Sequence, residues 1–218
     1  MELVYENKIP NNKEAFKEKV KEVASALGIN ANSLMMVMAH ESGLKPWAQN
    51  TAFPFKDGLA TGLIQFIPST ARHLGTSEQA LKSMSNVDQM YYVYKYYEPY
   101  KKFLKSDSLL DEYTKLYLIT FYPNAGGTLG GTLEKPDTWE FPDVVYRNNP
   151  IFDHNKDGKL TIKDFKEFNY HRVPDDWKKK FKKKTGLFSG RNIAIGLTVV
   201  VVIIAIAAAV RNQQKKKK

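Results

Sequence analysis

Glu41 ends the run Leu34-Met35-Met36-Val37-Met38-Ala39-His40-Glu41, which is apolar on nearly every face when wound as a helix. Desolvation at such a place raises a carboxyl pKa. An acid still protonated near neutrality can give its proton to a glycosidic oxygen. Gly43 allows a sharp turn just beyond and leaves the carboxyl at a cleft edge. The plainer alternative is a solvated glutamate at a helix end. A second carboxylate would imply lysozyme-type hydrolysis, because most glycosidases use two. Asp57 is the best candidate, though no motif supports it and an ordinary loop aspartate explains it more simply. Gln65, inside the short apolar run at 62–67, reads on its own as a buried amide hydrogen-bonded within the fold.

A second set of oxygen donors lies in Asp153-His154-Asn155-Lys156-Asp157-Gly158-Lys159-Leu160-Thr161-Ile162-Lys163-Asp164. Its spacing is that of an EF-hand calcium loop. Asp153, Asn155 and Asp157 occupy positions 1, 3 and 5, Gly158 the turn, and Lys159 the position that offers a backbone carbonyl. Thr161 takes position 9, and Asp164 stands at position 12 where the pattern prefers the longer Glu. Pro150 weakens the entering helix, whereas Lys163 to Tyr170 reads as a sound exiting helix. A single loop predicts a structural Ca2+ clip rather than a sensor. The competing reading is a polar Asx-rich turn.

Three segments occur in order: Ala39-His40-Glu41-Ser42-Gly43-Leu44 with Pro46 and Ala48; Thr61-Gly62-Leu63-Ile64-Gln65-Phe66-Ile67-Pro68-Ser69-Thr70-Ala71; and Phe121-Tyr122-Pro123-Asn124-Ala125-Gly126-Gly127. Together, over roughly residues 30–130, they resemble the soluble lytic transglycosylase family of lysozyme-like proteins. The resemblance implies a peptidoglycan substrate and Glu41 as a lone catalytic acid/base. Glu41 would protonate the leaving oxygen, and the 6-hydroxyl of the muramic acid would attack the anomeric carbon, giving a 1,6-anhydro product. It implies Gln65 and Ser42 as substrate-binding residues, and Tyr122, also at the substrate site, as the residue that helps position the carboxylate. Pro123 interrupts the family spacing after Tyr122, so Asn124 can take that role instead.

The elements that must hold these residues read as mainly α. Asn12 to Leu27 is amphipathic, with Phe16, Val20, Val23 and Leu27 on one face, Asn11 or Asn12 as cap and Gly28 as stop. Further helices are expected over Asn32–Glu41, Pro68–His73, Ser77–Met84, Asn86–Leu104 and Leu110–Tyr122, with an irregular stretch at 44–61 and little strand. The tyrosines between Tyr91 and Tyr100 are read as half-buried core rather than sugar-stacking surface. The expected organisation is a lysozyme-like helical domain at 1–135 and a loop-rich segment at 136–174 that carries the EF-hand-like loop. A basic juxtamembrane linker at 175–191, a single transmembrane helix at 192–210 and a basic tail at 211–218 follow.

The charge distribution supports that division. Residues 1–174 carry 21 Lys/Arg and 21 Asp/Glu, so the net charge of +10 belongs to the remainder. A neutral folded part gives no reason to expect nucleic acid. Asn192–Val210 is uncharged and, as a helix, would span roughly 28 Å, about the thickness of a bilayer core. Lysine clusters fence it on both sides, which favours a bilayer partner but leaves its orientation open. There is no cysteine, hence no disulfide or thiolate metal site. The first residues lack the basic and apolar regions of a secretory signal. An enzyme of the wall without export suggests a bacteriophage virion component acting from outside. A membrane-anchored bacterial wall enzyme, or a non-catalytic lysozyme-like structural or glycan-binding protein, are the alternatives.

Overall fold

The computed structural model describes residues 2–122 and 133–181. The expected transmembrane segment at 192–210, the tail at 211–218 and Asn124 lie outside the described residues. Among the described residues no helix is long and apolar enough to cross a membrane.

Helix α1 (Lys13–Leu27) buries Phe16, Val20, Val23 and Leu27, the face expected from their spacing. Its cap differs from expectation. Asn12 stands at the N-cap position with φ of 51° but makes no capping bond. Its amide reaches Asn86 instead, at 3.3 Å. Helix α2 (Ala31–Ser42) is capped by the Asn30 side chain and buries every residue from Asn32 to Met38. A helix apolar all round can only be central. It packs on α1 and on α7 (Leu109–Phe121), while α1 packs on α5 (Asn86–Tyr97).

The segment at 44–61 is more regular than its sequence suggests. Strands β1 (Gln49–Phe55) and β2 (Gly58–Thr61) form an antiparallel hairpin, with Gln49 opposite Thr61 and Phe55 opposite Gly58. Its register is irregular between Asn50 and Phe55. That irregularity and Pro54 hide the alternation that marks a strand, while the Asp57-Gly58 turn was the available signal. Helices α3 (Pro68–His73) and α4 (Glu78–Ser83) support the hairpin. The Glu78 carboxylate fastens it, accepting from the Leu59 amide at 2.9 Å and from Gln49 Nε2 at 2.7 Å.

The long helix expected to Leu104 is interrupted. Pro99 lacks a donor, so Glu98–Tyr100 tightens into a 3-10 turn before the short α6 (Lys101–Leu104).

Beyond residue 132 the chain is less loop-like than its composition suggests. It contains α8 (Asp143–Asn148), α9 (Ile162–His171) and α10 (Asp175–Phe181). The start of the expected basic linker is therefore helical, and it buries Trp177 and Phe181. Phe141, Phe152, Phe165 and Phe168 join Tyr117 and Phe121 of α7 in one aromatic cluster, with ring centroids 4.4–6.1 Å apart. Helices α9 and α10 both pack on α7. The C-terminal segment thus shares the core of the helices that carry Glu41.

Candidate active site

Glu41 lies in the last turn of α2, which stops because Gly43 takes φ of 63° and satisfies the carbonyls of Ala39 and Met38. Both Glu41 carboxyl oxygens are shielded from solvent, and neither has a hydrogen-bond partner of ordinary geometry. Burial pushes the carboxyl up to about 8; the charge of Arg172 and the nearby Tyr117 hydroxyl offset part of that rise. The acid is therefore protonated at neutral pH, the form that can donate.

The hydroxyls of Tyr96, Tyr97, Tyr113 and Tyr117 come near enough to Glu41 to feel its charge. Most are engaged elsewhere. Tyr96 donates to the Ile119 carbonyl at 3.0 Å, and Tyr97 shares a 2.5 Å bond with Thr120. Tyr113 meets His40 Nδ1 at 2.6 Å. Burial, aided by Arg172, holds the His40 pKa well below its usual value, so this ring is neutral. The tyrosines of α5 are in part core, as expected, and two of them also wall the acid.

Ser42 is buried. Its hydroxyl lies 3.0 Å from both the Met38 and Leu63 carbonyls, tying the end of α2 to the turn at 62–66. Its geometry is that of a brace for Glu41, and contact with substrate would require giving up these bonds. Gln65 adopts φ of 53°, a left-handed conformation that is costly for a residue with a side chain. Its Nε2 donates to the carbonyls of Ala48 and Gly62 at 3.1 and 3.0 Å. Two acceptors on one side fix the orientation of the amide and leave Oε1 as its remaining polar atom. Tyr122, just past α7, packs edge-on against Phe141 at 5.9 Å. Tyr117, on α7 itself, is the tyrosine whose hydroxyl bears most directly on the Glu41 carboxyl. Asp57 pairs with Arg72 at 2.5 Å, which holds its carboxyl below the usual range. It lines an open depression of about 540 Å³ with Glu78 and Lys82, and its charge is not among those acting on Glu41.

Two residues that matter here carry no sequence motif. Gln89 is fully buried, accepts from the Leu63 amide at 2.9 Å, and donates to the carbonyls of Pro46 and Leu81 at 2.6 and 2.5 Å. It joins the segments before and after the hairpin to α4. Arg172, at the C-cap of α9, donates to the Tyr117 hydroxyl at 3.0 Å and to the His40 carbonyl at 3.4 Å. Only the fold brings a residue so distant in sequence beside Glu41.

In the loop at 153–164 the Asp153 carboxylate accepts from the amides of Asp157 and Gly158, at 3.2 and 3.0 Å. The Asn155 oxygen accepts from Asp157, and the Asp157 carboxylate from Lys159, both at 3.0 Å. These three side chains are brought together. Asp164 is turned toward Thr161 in a capping box, its Oδ2 accepting from the Thr161 amide at 2.9 Å and hydroxyl at 2.6 Å. The Lys159 ammonium bonds Glu140 at 2.7 Å. Among the described residues no three His, Asp or Glu side chains converge as a metal site. The oxygens of the first half of the loop are thus engaged by its own amides, and the twelfth position forms a helix cap. As anticipated from Pro150, a 3-10 turn at Pro150–Phe152 precedes the loop rather than a full entering helix. The loop pairs with 139–141 rather than with a second loop: Phe141 donates to Leu160 at 2.8 Å and Ile162 to Trp139 at 3.2 Å.

Residues 18–101 match the family described as Transglycosylase SLT domain. No curated protein and no solved structure matches the chain. The matched segment contains Glu41, Ser42, Gln65 and Gln89 and ends before α7, so Tyr113, Tyr117 and Arg172 lie outside it. The match supports, at family level, a lysozyme-like domain that acts on peptidoglycan as a glycan-cleaving enzyme.

Proposed function

We propose that this SLT-type domain is a lytic transglycosylase that cleaves the β-1,4 bond between MurNAc and GlcNAc, with Glu41 as its one acid/base. The observation that carries the reading is a carboxyl at the end of an apolar helix, without a hydrogen-bond partner and raised to about 8. Glu41 donates its proton to the leaving glycosidic oxygen. The resulting carboxylate then takes the proton of the MurNAc 6-hydroxyl as that oxygen closes on C1, so a 1,6-anhydro end forms and no water is consumed. Gln65 Oε1 is the acceptor offered to a sugar hydroxyl or amide. Because Asp57 is held by Arg72, a hydrolase with a second carboxylate is the weaker reading.

The deciding experiment is clearing of purified peptidoglycan by wild type and Glu41→Gln, with mass spectrometry of the products. Anhydromuropeptides from wild type and about a hundredfold or greater loss in the variant are expected, the usual cost of removing a general acid. Equal clearing by both would end the assignment, and reducing ends in place of anhydro ends would make the enzyme a hydrolase.

The uncharged stretch 192–210, fenced by lysines, is proposed as a bilayer anchor. In a virion membrane it would carry the enzyme to the wall from outside the cell, and recovery of the protein from cell membranes but never from purified particles would exclude that location. Calcium is proposed as a structural ion held by Asp153, Asn155, Asp157 and the Lys159 carbonyl, with Asp164 as the weakest donor.

A further inference from the structure

We infer that Arg172 and Tyr117 form a positioning relay, supplied by the C-terminal part of the chain, that stabilises the carboxylate Glu41 becomes during turnover. This deepens the catalytic reading of Glu41 and rests on it.

The geometry defines the order of the relay. Arg172 donates to the Tyr117 oxygen at 3.0 Å. An oxygen that accepts from a guanidinium keeps its own hydrogen for another acceptor. The Glu41 carboxyl is the neighbouring group without one, since neither of its oxygens has a partner of ordinary geometry. Once Glu41 has released its proton, the Tyr117 hydroxyl can turn its hydrogen to the new carboxylate while Arg172 holds the tyrosine oxygen from behind. Each bond polarises the next in a site shielded from water. The proton itself passes from Glu41 to the leaving oxygen and returns from the 6-hydroxyl. Tyr117 and Arg172 keep theirs throughout.

The packing keeps Arg172 in place. Its guanidinium lies 5.2 Å from the ring centres of both Tyr117 and Phe168, and its carbonyl accepts from the Tyr5 hydroxyl at 3.0 Å. It also reaches the His40 carbonyl, one residue before Glu41. The other groups that feel the charge of Glu41 are neutral at pH 7: Tyr96 and Tyr97 of α5 and Tyr113 of α7. Among the described residues Arg172 is thus the cation acting on the acid, and it comes from outside the segment that matches the family.

The test separates this relay from the assignment of Glu41 as catalyst. In protein labelled with 13C at glutamate carboxyls, the Glu41 resonance is identified by its loss in Glu41→Gln. It is then titrated in wild type, Arg172→Lys and Arg172→Gln. The midpoint is expected to rise in that order, by about half a pH unit or more at each step. Turnover in Arg172→Gln should fall about tenfold or more at unchanged KM, with the alkaline limb of its pH profile moved to higher pH. Arg172→Lys should recover part of both. A merely structural arginine would lower activity without moving the limb. Coincident midpoints in folded variants would overturn the relay. Should Arg172→Gln fail to fold, Arg172→Lys decides alone, and a wild-type midpoint there overturns it. Normal clearing by Glu41→Gln would instead remove the catalyst while leaving the midpoint order readable.

Discussion

The Gln89 carboxamide oxygen occupies the space that a side chain on Gly62 would need: a β-carbon at Gly62 would lie 2.6 Å from it. Gly62 also has φ of 90°, so both crowding and backbone conformation require glycine. The same oxygen takes the Leu63 amide, whose carbonyl in turn holds Ser42 beside Glu41. Gln89→Ala leaves the Leu63 amide and the Pro46 carbonyl without partners, while the Leu81 carbonyl keeps the Met84 amide, a loss of about 2–5 kcal/mol at the usual cost per group. Gly62→Ala is expected to cost a comparable amount. Denaturant midpoints measure both, and a Gly62→Ala protein as stable as wild type would contradict the close approach.

Glu41 makes stability depend on pH in a definite direction. Its folded pKa of about 8 lies above the ordinary 4.5. Between those values the unfolded chain has released a proton that the folded chain keeps, so stability falls as pH rises through the interval and levels off above about 8. The full difference is at most roughly 4–5 kcal/mol. Glu41→Gln removes this titration, so its melting temperature relative to wild type should climb from pH 5 to pH 8. Melting curves at the two pH values check it, and a constant offset would mean that the carboxyl ionises freely in the folded protein. Activity should likewise decline through about pH 8 as the acid form is lost.

Gln65 is strained in its backbone and anchored through its amide, and the two properties separate by mutation. Gln65→Gly relieves the left-handed conformation, worth about 1 kcal/mol, and gives up two hydrogen bonds of similar worth. Its stability should therefore fall only modestly, by about 1–2 kcal/mol. If Oε1 receives substrate, its activity should still fall about tenfold or more. Gln65→Glu turns a carboxylate toward the Ala48 and Gly62 carbonyls and should lose both stability and activity. Full activity in a stable Gln65→Gly protein would reduce Gln65 to a structural amide.

What could be read from the residues was whatever depends on local pattern. The apolar run 34–39 identified the central helix, the Phe16–Leu27 spacing identified the buried face of α1, and Glu41-Ser42-Gly43 singled out a carboxyl that the fold shields from solvent. What stayed hidden depends on distant partners. Asn12 has the side chain of a cap, yet Asn86 competes for it across the fold. The hairpin was masked by its irregular register. Tyr117 is one of several tyrosines in a helical pattern, and neither its spacing nor that of Arg172 reveals that α9 carries the arginine to the end of α2. Asp164 fits a calcium position by spacing, but it is also the third residue of a helix that begins at a threonine cap. In the fold it forms that cap.

The loop at 153–164 gives the last prediction. A cation at Asp153, Asn155 and Asp157 would bind the folded loop and not the unfolded chain, so added calcium should raise the melting temperature progressively. Because Asp164 is engaged by Thr161, the response should appear only in the weak range, at about 0.1–1 mM Ca2+. Asp164→Glu lengthens the twelfth side chain and should shift the response to lower calcium. Asp153→Ala should abolish it, and a chelator should lower the melting temperature of wild type but not of Asp153→Ala. Because α9 leads from this loop to Arg172, activity near pH 7 should follow the same calcium dependence if the ion steadies the helix. An Asp153→Ala protein with the calcium response of wild type would leave the loop as a set of Asx turns and nothing more.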